Sequence, residues 1–265
     1  MIDYEIAIPS YKRKEILTSV TLPCLKKLKA DFSKITIFTA SQEENNSYRE
    51  ELLSKGLNIR IVTGVLGIGP QRIFINKYYK EGTKIFSIDD DIESLHLLEG
   101  KKLIKCPWSL DQIVRKGFST CERVKARMWG VNPVFNPFFM KRTTTIGLRY
   151  IAAGFMGSYA QDLVWTDPKR LNFSSGEDFE STLRSFSRYK GVVRLDGICI
   201  KTKYFAKGGI CDLIGSKEKR IADHKKKLIE ITERYPKLAK TYVKADGTTN
   251  IRLRNITIGK INWSK

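Results

Sequence analysis

The first 92 residues alternate between short apolar runs and helix-forming segments, and this alternation limits the fold more than any other feature of the chain. The apolar runs predict four strands, at residues 4–9, 34–40, 57–64 and 83–92. The intervening segments predict helices at residues 14–30, 45–56 and 69–82. Strands that alternate with helices at this spacing indicate a parallel sheet covered by helices. We therefore expect an α/β fold.

The pattern changes after residue 92. Residues 93–107 predict an excursion of short strands, and residues 109–126 predict a helix with Ser109 as its N-cap. Further on, two strand-like runs flank a helix at 174–191, and a strongly basic helix covers 217–240. No internal repeat or linker separates these parts. We expect one α/β domain over residues 1–216 with a mostly parallel sheet, and a basic C-terminal helical extension over 217–265 packed on it.

The net charge of +20 is confined to the later part of the chain. Residues 1–100 contain 14 basic and 14 acidic side chains and are neutral. Residues 101–150 carry +9, residues 151–216 carry +2 and residues 217–265 carry +9. A surface of that charge attracts polyanions such as nucleic acid. The alternative interpretation is a soluble basic protein without a polyanionic partner.

Composition excludes several classes of site. The five cysteines are widely spaced and form no C-x-x-C pair, so neither a zinc motif nor a disulfide framework is indicated. With two histidines, the chain has no histidine-rich metal site. No apolar run approaches the roughly 20 residues of a membrane span, and the first residues lack the layout of a signal peptide. We expect a cytoplasmic protein that does not contact membranes.

Three consecutive aspartates, Asp89, Asp90 and Asp91, follow the apolar run "KIFSI" directly. In an open parallel sheet, ligands bind at the carboxyl ends of the strands, where these residues are expected to lie. Mg²⁺ or Mn²⁺ would relieve the repulsion between the carboxylates, because such ions bind one or two carboxylates together with phosphate oxygens. The alternative is an exposed acidic turn.

Two other segments have the composition of a ligand site. "TGVLGIGPQR" supplies Gly67 and Gly69 before a predicted helix, whose N-terminus favours phosphate, with Arg72 just inside it. "SSGEDFES" places Glu177 and Asp178 at another helix start. Carboxylates there can simply stabilise the helix dipole, or one of them can serve as a general base.

The order of "IPSYKR", "GIGPQR", "IFSIDDD", "AAGFMGS" and "GEDFE" resembles the nucleotide-sugar-dependent glycosyltransferases of GT-A fold, over roughly residues 4–200. In that comparison the aspartate triplet looks like the family's D-x-D motif. "MWGVNPVFNPFFMK", "KGGICDLIGSKEKR" and the basic helix with "ERYPKL" are similar to the TET-associated glycosyltransferases, phage and eukaryotic enzymes of hydroxymethylated pyrimidines in DNA.

The resemblance implies roles for individual residues. Asp178 would be the general base of an inverting reaction, and Glu177 would hold a sugar hydroxyl. Asp91 and Asp89 would bind Mn²⁺ or Mg²⁺, with His224 completing the metal site. The nucleotide-sugar, a UDP-sugar by this resemblance, would contact Pro9, Ser10, Tyr11, Arg13, Gly67, Gly69, Arg72, Asp89, Asp90 and Gly154. Asp90 has no more definite role at this stage.

The acceptor implied by the resemblance is a modified base in DNA, which has to be flipped out of the duplex to be reached. Trp129, Phe135, Phe138 and Phe139 would stack on such a base, although core aromatics under a loop are an equally good interpretation. Basic residues would hold the DNA phosphates, and the candidates are Arg142, Lys219, Arg220 and Lys225.

Two other functions remain open from the sequence. One is a GT-A transferase with a glycan, protein or small-molecule acceptor, which the neutral first hundred residues fit equally well. The other is a non-catalytic nucleic-acid-binding protein on a transferase scaffold, which the presence of Asp89, Asp91, Glu177 and Asp178 disfavours. The identity of the sugar, retention or inversion, and the oligomeric state are not indicated.

Overall fold

A computed structural model describes residues 2–166, 176–203 and 217–263, without the side chains of residues 165–166 and 217–220. The strands are β1 (Glu5–Pro9), β2 (Ile35–Thr39), β3 (Arg60–Thr63), β4 (Lys84–Ile88), β5 (Ile92–Glu99), β6 (Lys102–Lys105), β7 (Trp129–Asn132), β8 (Thr143–Leu148), β9 (Phe155–Tyr159), β10 (Val192–Thr202), β11 (Ala239–Val243), β12 (Thr249–Leu253) and β13 (Ile256–Asn262). The helices are α1 (Lys14–Ile16), α2 (Leu22–Lys27), α3 (Gln42–Ser54), α4 (Ile68–Tyr78), α5 (Leu110–Val124), α6 (Leu163–Thr166), α7 (Glu177–Tyr189) and α8 (Lys217–Arg234). A π-helical turn over Leu17–Thr21 joins α1 to α2.

Eleven strands form one large sheet, in the order β13-β8-β10-β7-β9-β4-β1-β2-β3, with β5 paired to β10 and to β6. Strands β4, β1, β2 and β3 are mutually parallel, as the alternation of strands and helices predicts. The other half is mixed, because β9 runs antiparallel to both β4 and β7. The α/β class with helices flanking one large sheet is confirmed, and the sheet as a whole is mixed.

The carboxyl ends of the four parallel strands lie at one edge of the sheet. β1 ends before Ser10, β2 before Ala40, β3 before the glycine-rich loop and β4 before Asp89. Because parallel strands share a direction, their carboxyl ends lie side by side. The motifs that the sequence separates by up to 80 residues are therefore neighbours in space.

Capping side chains define two of the helix starts. Ser109 Oγ accepts the backbone N–H of Gln112 at the start of α5, while Gln112 Oε1 accepts the N–H of Ser109. This reciprocal pair is a capping box, and it confirms the predicted N-cap. Ser41 caps α3 in a similar way by accepting from Glu44 N.

The segment after residue 217 is only partly helical. α8 begins it as expected, but residues 239–262 form a hairpin, β11–β12, and the strand β13, which pairs with β8. The prediction of a helical extension is corrected here: alternation such as "ITIGKIN" satisfies a sheet edge better than a helix. The boundary at residue 216 stays a prediction.

Helix α8 is fastened to α7 by apolar and ionic contacts. Leu228 and Ile231 pack in one buried cluster with Leu183 of α7. Glu180 of α7, 3% exposed, accepts from Arg234 at 2.7 Å and from Tyr235 at 3.1 Å. These contacts set α8 against the helix that carries Glu177 and Asp178. Across the parts of the chain described above, every helix is too short or too polar to span a bilayer.

Trp129 lies at the centre of the main core rather than at a binding surface. It is 0% exposed and stacks on Phe86, with ring centroids 5.9 Å apart. A Cβ at Gly117 or Gly157 would lie within 2.2 Å of the indole, so the two glycines make room for it. The prediction that Trp129 stacks on an extruded base is therefore wrong, because this side chain cannot reach solvent.

A buried position for Trp129 and an exposed position for Phe138 give different expectations for the stability of variants at these two residues. Trp129→Ala should lower the free energy of unfolding by about 3–5 kcal/mol, because it removes a large buried side chain and leaves a cavity. Phe138→Ala, at a site 84% exposed, should change it by no more than about 0.5 kcal/mol. Urea unfolding followed by circular dichroism measures both. Equal losses would contradict this placement of the two rings.

Candidate active site

A cavity of about 680 Å³, partly open to solvent, lies at the carboxyl edge of the parallel strands. Eight of the residues predicted to bind a nucleotide-sugar line it, namely Pro9, Ser10, Tyr11, Arg13, Gly67, Arg72, Asp89 and Asp90. Glu177 from α7 closes one side.

Arg72 is the central cation of this site. Its side chain is 4% exposed, and its guanidinium lies 2.9 Å from Asp89 and 3.7 Å from Glu177. A third contact runs to Ser87 Oγ at 3.1 Å. Burial disfavours the charge of Arg72, but the neighbouring carboxylates, Asp89 first, outweigh burial and raise its pKa. Arg72 thus joins the aspartate triplet to the start of α7.

Asp90 is held by a network beneath the cavity. Its carboxylate accepts from Ser10 Oγ at 2.6 Å and lies 3.3 Å from the guanidinium of Arg13. Arg13 also lies 3.3 Å from Asp91, and Tyr48 Oη contacts Ser10 at 2.8 Å. The middle aspartate is thus 5% exposed and ties the end of β1 to the end of β4.

Burial disfavours the ionised forms of Asp90 and Asp91. It raises the pKa of Asp90 to about 7, against the opposing effects of Ser10 and Arg13. It raises the pKa of Asp91 to about 6, with repulsion from Asp89 as the next cause. Each of these carboxylates is therefore more easily protonated than an exposed one.

Glu177 and Asp178 form an acidic pair at the first turn of α7. Burial raises the pKa of both, and repulsion from Asp178 adds to the effect on Glu177. Tyr150 donates a hydrogen bond from its hydroxyl to Asp178 Oδ2, which favours the ionised form of that carboxylate. A half-buried carboxylate next to a residue of the cavity wall can act as a general base.

Two glycines permit close approaches at the site. A Cβ at Gly154 would lie 2.7 Å from Asp89 Oδ2, so β-carbon-bearing residues would displace this carboxylate. The Gly154 carbonyl also accepts from Asp89 N at 3.0 Å. Gly67 has φ of 94°, a left-handed conformation that other residues adopt only with strain. It lets the loop after β3 turn into α4.

The donor set suits a divalent cation bound largely through a substrate. Five carboxylates, at positions 89–91 and 177–178, face two ion-paired arginines, Arg13 and Arg72. That leaves three negative charges when all are ionised. Within the described residues no three Asp, Glu, Cys or His side chains are grouped to hold a metal. Mg²⁺ and Mn²⁺ accept one or two carboxylates plus diphosphate oxygens, which fits this set.

The three predicted metal ligands are therefore not assembled into one site. Asp89 turns to Arg72 and Asp91 turns to Arg13. His224 lies on α8. Burial lowers its pKa, against the opposing effect of the negative charge of Asp178. His224 thus lies on the side of the acidic pair.

Other predicted residues fall outside the cavity wall. Gly69 lies buried in α4, and Gly154 contacts Asp89 from behind. Of the residues assigned to the acceptor, Lys225 is exposed on α8 and Arg142 is half-buried near β13. The side chains of Lys219 and Arg220 lie outside the described part of the chain.

The structure adds wall residues that the sequence analysis missed: Ala40, Val65, Ile68 and Gln71. Gln71 has a clear structural role. Its side chain accepts from Val65 N at 2.8 Å and donates to Thr39 O at 3.0 Å, so it braces the glycine-rich loop against β2. Its position beside Arg72 in "GPQR" was the available signal. Ala40 follows a strand end, which was the signal for that residue.

Comparisons of the fold identify similar solved structures. Residues 1–349 of S. aureus TarS in complex with UDP-GlcNAc match with a TM-score of 0.55 at 14% identity, covering 87% of this chain and 66% of that one. Glucosyl-3-phosphoglycerate synthase from Mycobacterium tuberculosis, in complex with Mn²⁺, UDP and glucosyl-3-phosphoglycerate, matches with a TM-score of 0.50 at 10% identity, covering 98% and 89%. In another TarS structure the chain spans 59% of the matched chain. No family model and no curated protein sequence matches.

These structures share their fold with this chain. The GT-A arrangement expected from the sequence is confirmed at the level of fold, with a large mixed sheet flanked by helices. At 10–14% identity the likeness carries no assignment of activity. The roles of individual site residues stay predictions.

The raised pKa of Asp90 gives a signed prediction. A carboxyl group with a higher pKa in the folded state stabilises the fold most below about pH 4, and this contribution is lost as pH rises to about 7. The stability of Asp90→Asn relative to wild type should therefore increase as pH rises from about 4 to about 7. Urea midpoints at pH 4.5 and 7.5 measure the difference.

Asp246→Asn is the control for this measurement. Hydrogen bonds from Thr248 lower the pKa of Asp246, so its stabilising contribution is present above about pH 4 and lost in acid. Between pH 4.5 and 7.5 that contribution is complete, so the difference in stability between this variant and wild type should stay constant. A parallel response of the two variants would contradict the buried, destabilised state of Asp90.

Proposed function

We propose that the protein is a glycosyltransferase that moves a sugar from a nucleotide-sugar, a UDP-sugar, to an acceptor hydroxyl. One observation carries the proposal: buried Arg72 links Asp89 on the cavity wall to Glu177, next to Asp178. A donor diphosphate needs positive charge, and the acceptor hydroxyl needs a base. Arg72 supplies the positive charge on the cavity wall, and Asp178 directly follows the wall residue Glu177.

The donor assignment is supported by the neighbours of the same fold. TarS was solved in complex with UDP-GlcNAc, and the mycobacterial synthase with Mn²⁺ and UDP. In this chain Pro9, Ser10 and Tyr11 line the cavity where the nucleoside would lie. Asp89, with 36% of its side chain exposed, can accept a hydroxyl of the ribose or sugar.

Mn²⁺ or Mg²⁺, held by Asp89 and Asp91 together with the diphosphate, would neutralise charge on the leaving group. Arg72 holds Asp89 in place and adds positive charge at the same point. Arg13 does the same for Asp91. The two arginines therefore orient the carboxylates even before the donor binds.

Asp178 is the proposed general base. The Tyr150 hydroxyl donates to one of its oxygens, and Asp178 Oδ1 accepts from Phe179 N at 3.1 Å. These bonds orient the carboxylate and favour its ionised form, which can take the proton of the acceptor hydroxyl. Glu177, paired with Arg72 and facing the cavity, is placed to bind a sugar hydroxyl.

For the acceptor, we propose a hydroxymethylated pyrimidine base in DNA. The distribution of charge supports it, because residues 1–100 are neutral and the net +20 lies entirely after them. A donor site in a neutral region and an acceptor site in a basic region is the arrangement that a polyanionic acceptor requires. A glycan, protein or small-molecule acceptor would not need this excess.

Donor binding is the first test. UDP with Mn²⁺ should stabilise the folded protein by mass action and so raise its melting temperature. At a UDP concentration 100 times the dissociation constant, the free energy of unfolding should rise by about 2.7 kcal/mol. Asp89→Ala should reduce the shift, and Asp111→Asn, an acidic residue in α5 remote from the cavity lining, should keep it. The absence of a shift with any nucleotide diphosphate would contradict the donor assignment.

Transfer itself tests the base. With labelled UDP-sugars and hydroxymethylated DNA, Asp178→Asn should lower kcat by about 10²–10⁴-fold, the usual contribution of a general base. UDP binding should persist in the same variant, because Asp178 is not on the cavity wall. Full activity of Asp178→Asn would exclude its role. Labelling of a non-nucleic acceptor, with none of DNA, would favour the alternative transferase.

A further inference from the structure

A second depression, an open groove of about 1140 Å³, lies on the other side of the acidic pair. Its walls come from the end of β8, from β10, from the first turn of α7 and from β12 with the residues after it. Three arginines line it, Arg149, Arg194 and Arg254. No acidic side chain is among the described residues that form its walls.

The groove has more positive charge than its surroundings neutralise. Arg194 pairs with Asp196 at 2.6 Å, which is itself 5% exposed. Arg149 instead donates to the backbone oxygens of Leu148 and Ile256, at 2.8 and 3.1 Å. Burial and the nearby charge of Arg194 lower the pKa of Arg149, so two like charges are held close together.

Arg254 adds a third cation at the outer end of the groove. Its side chain is exposed and makes no ion pair within the described residues, while its backbone N–H donates to Leu238 O at 2.7 Å. Within the described residues, Asp196 is therefore the one carboxylate that forms an ion pair with any of these three arginines. Arginine binds phosphate with two parallel hydrogen bonds, so phosphate groups are the natural complement of this surface.

The groove leads to the proposed base. The rings of Tyr150 and Phe179 line it, with centroids 4.4 Å apart. The Tyr150 hydroxyl donates to Asp178. Glu177, the residue before Asp178, lies on the wall of the donor cavity. The acidic pair therefore lies between two depressions, one that faces the predicted donor and one that is lined by arginine.

A loop that starts at the groove carries exposed aromatic rings. Pro133 and Val134 line the groove, and the loop that they begin continues to Phe138 and Phe139. These two rings are 84% and 60% exposed. Exposed aromatic rings beside a basic groove are the combination with which proteins bind single-stranded nucleic acid, the rings by stacking and the cations by phosphate contact.

We propose that this groove is the acceptor site and that it binds a nucleic-acid strand, with its phosphates on Arg149, Arg194 and Arg254. Bases of the strand stack on Phe138 and Phe139. A strand fits better than a small phosphorylated compound, because the groove is open and wide and its three arginines come from three separate segments of the chain. The inference rests on the proposed function, since it gives that reaction its acceptor.

Binding of a fluorescein-labelled 12-nucleotide single-stranded DNA, followed by anisotropy between 50 and 200 mM salt, tests the proposal. Arg254→Ala should weaken binding about 5–10-fold and reduce the salt slope by about 1, because one phosphate contact is lost. Phe138→Ala should also weaken it several-fold, with the salt slope unchanged, because stacking is not ionic.

Arg252→Ala is the matched control. Arg252 lies in β12 between the groove residues Ile251 and Leu253, but it is not on the groove wall. Its guanidinium lies 4.8 Å from the ring of Tyr242. The variant removes the same charge two residues away from Arg254 and should change binding less than 2-fold.

Several outcomes would contradict the proposal that the groove binds a nucleic-acid strand. Equal losses for Arg252→Ala and Arg254→Ala would show attraction by net charge alone. Loss on Lys225→Ala, with none on Arg254→Ala, would place the strand on α8. Displacement of the labelled strand by submillimolar inorganic phosphate or glucose 6-phosphate would indicate a small phosphorylated acceptor instead. Absence of any binding at 50 mM salt would also exclude a strand.

The donor measurement separates this inference from the proposed function. Arg254→Ala should keep the shift in melting temperature that UDP and Mn²⁺ produce, because Arg254 is not on the wall of the donor cavity. If the wild-type protein binds UDP but not the strand, the proposal of strand binding in the groove is refuted and the donor assignment is not. A protein that binds the strand and no nucleotide diphosphate refutes the donor assignment and leaves the groove as a binding site.

Discussion

The buried guanidinium of Arg72 is the contact on which the rest of the site depends. It is 4% exposed and joins Asp89, at the end of β4, to Glu177, at the start of α7. Removal of Arg72 would take the cationic partner from both carboxylates, and the loss of one member of a buried ion pair costs several kcal/mol in typical proteins. The ion pairs therefore lock a helix from the second half of the chain onto the sheet of the first half.

The ion pairs of Arg72 and Arg13 also determine how charge is distributed around the site. Arg72 and Arg13 neutralise part of the acidic cluster and leave an excess of carboxylates beside the cavity. The arginine groove has the opposite excess, and Tyr150 lies between the two regions, bonded to Asp178. A negatively charged region and a positively charged region therefore meet at one carboxylate pair. This separation supports the proposal of distinct donor and acceptor sites.

Much of the first half of the fold was predictable because its signals are local. The strands β1–β4 are continuous apolar runs, and Ser109 is followed at the right spacing by Gln112. The later half was harder, since β13 pairs with β8 from more than 100 residues away. A strand of that kind is stabilised by its partner rather than by its own sequence. The fate of Trp129 is similar: a Trp in a Pro- and aromatic-rich segment has no local mark of burial.

The sequence by itself determined the α/β class, the position of the three aspartates at a strand end and the neutrality of the first hundred residues, because periodicity and charge are properties of the chain. Tertiary structure decided which cation meets which carboxylate. Asp89 pairs with Arg72, 17 residues away, and Asp90 pairs with Arg13 and Ser10, 77 and 80 residues away. It also gathered three arginines into one groove and withdrew Trp129 into the core. Such choices follow from packing and from the need to pair buried charges, which only the folded chain can satisfy.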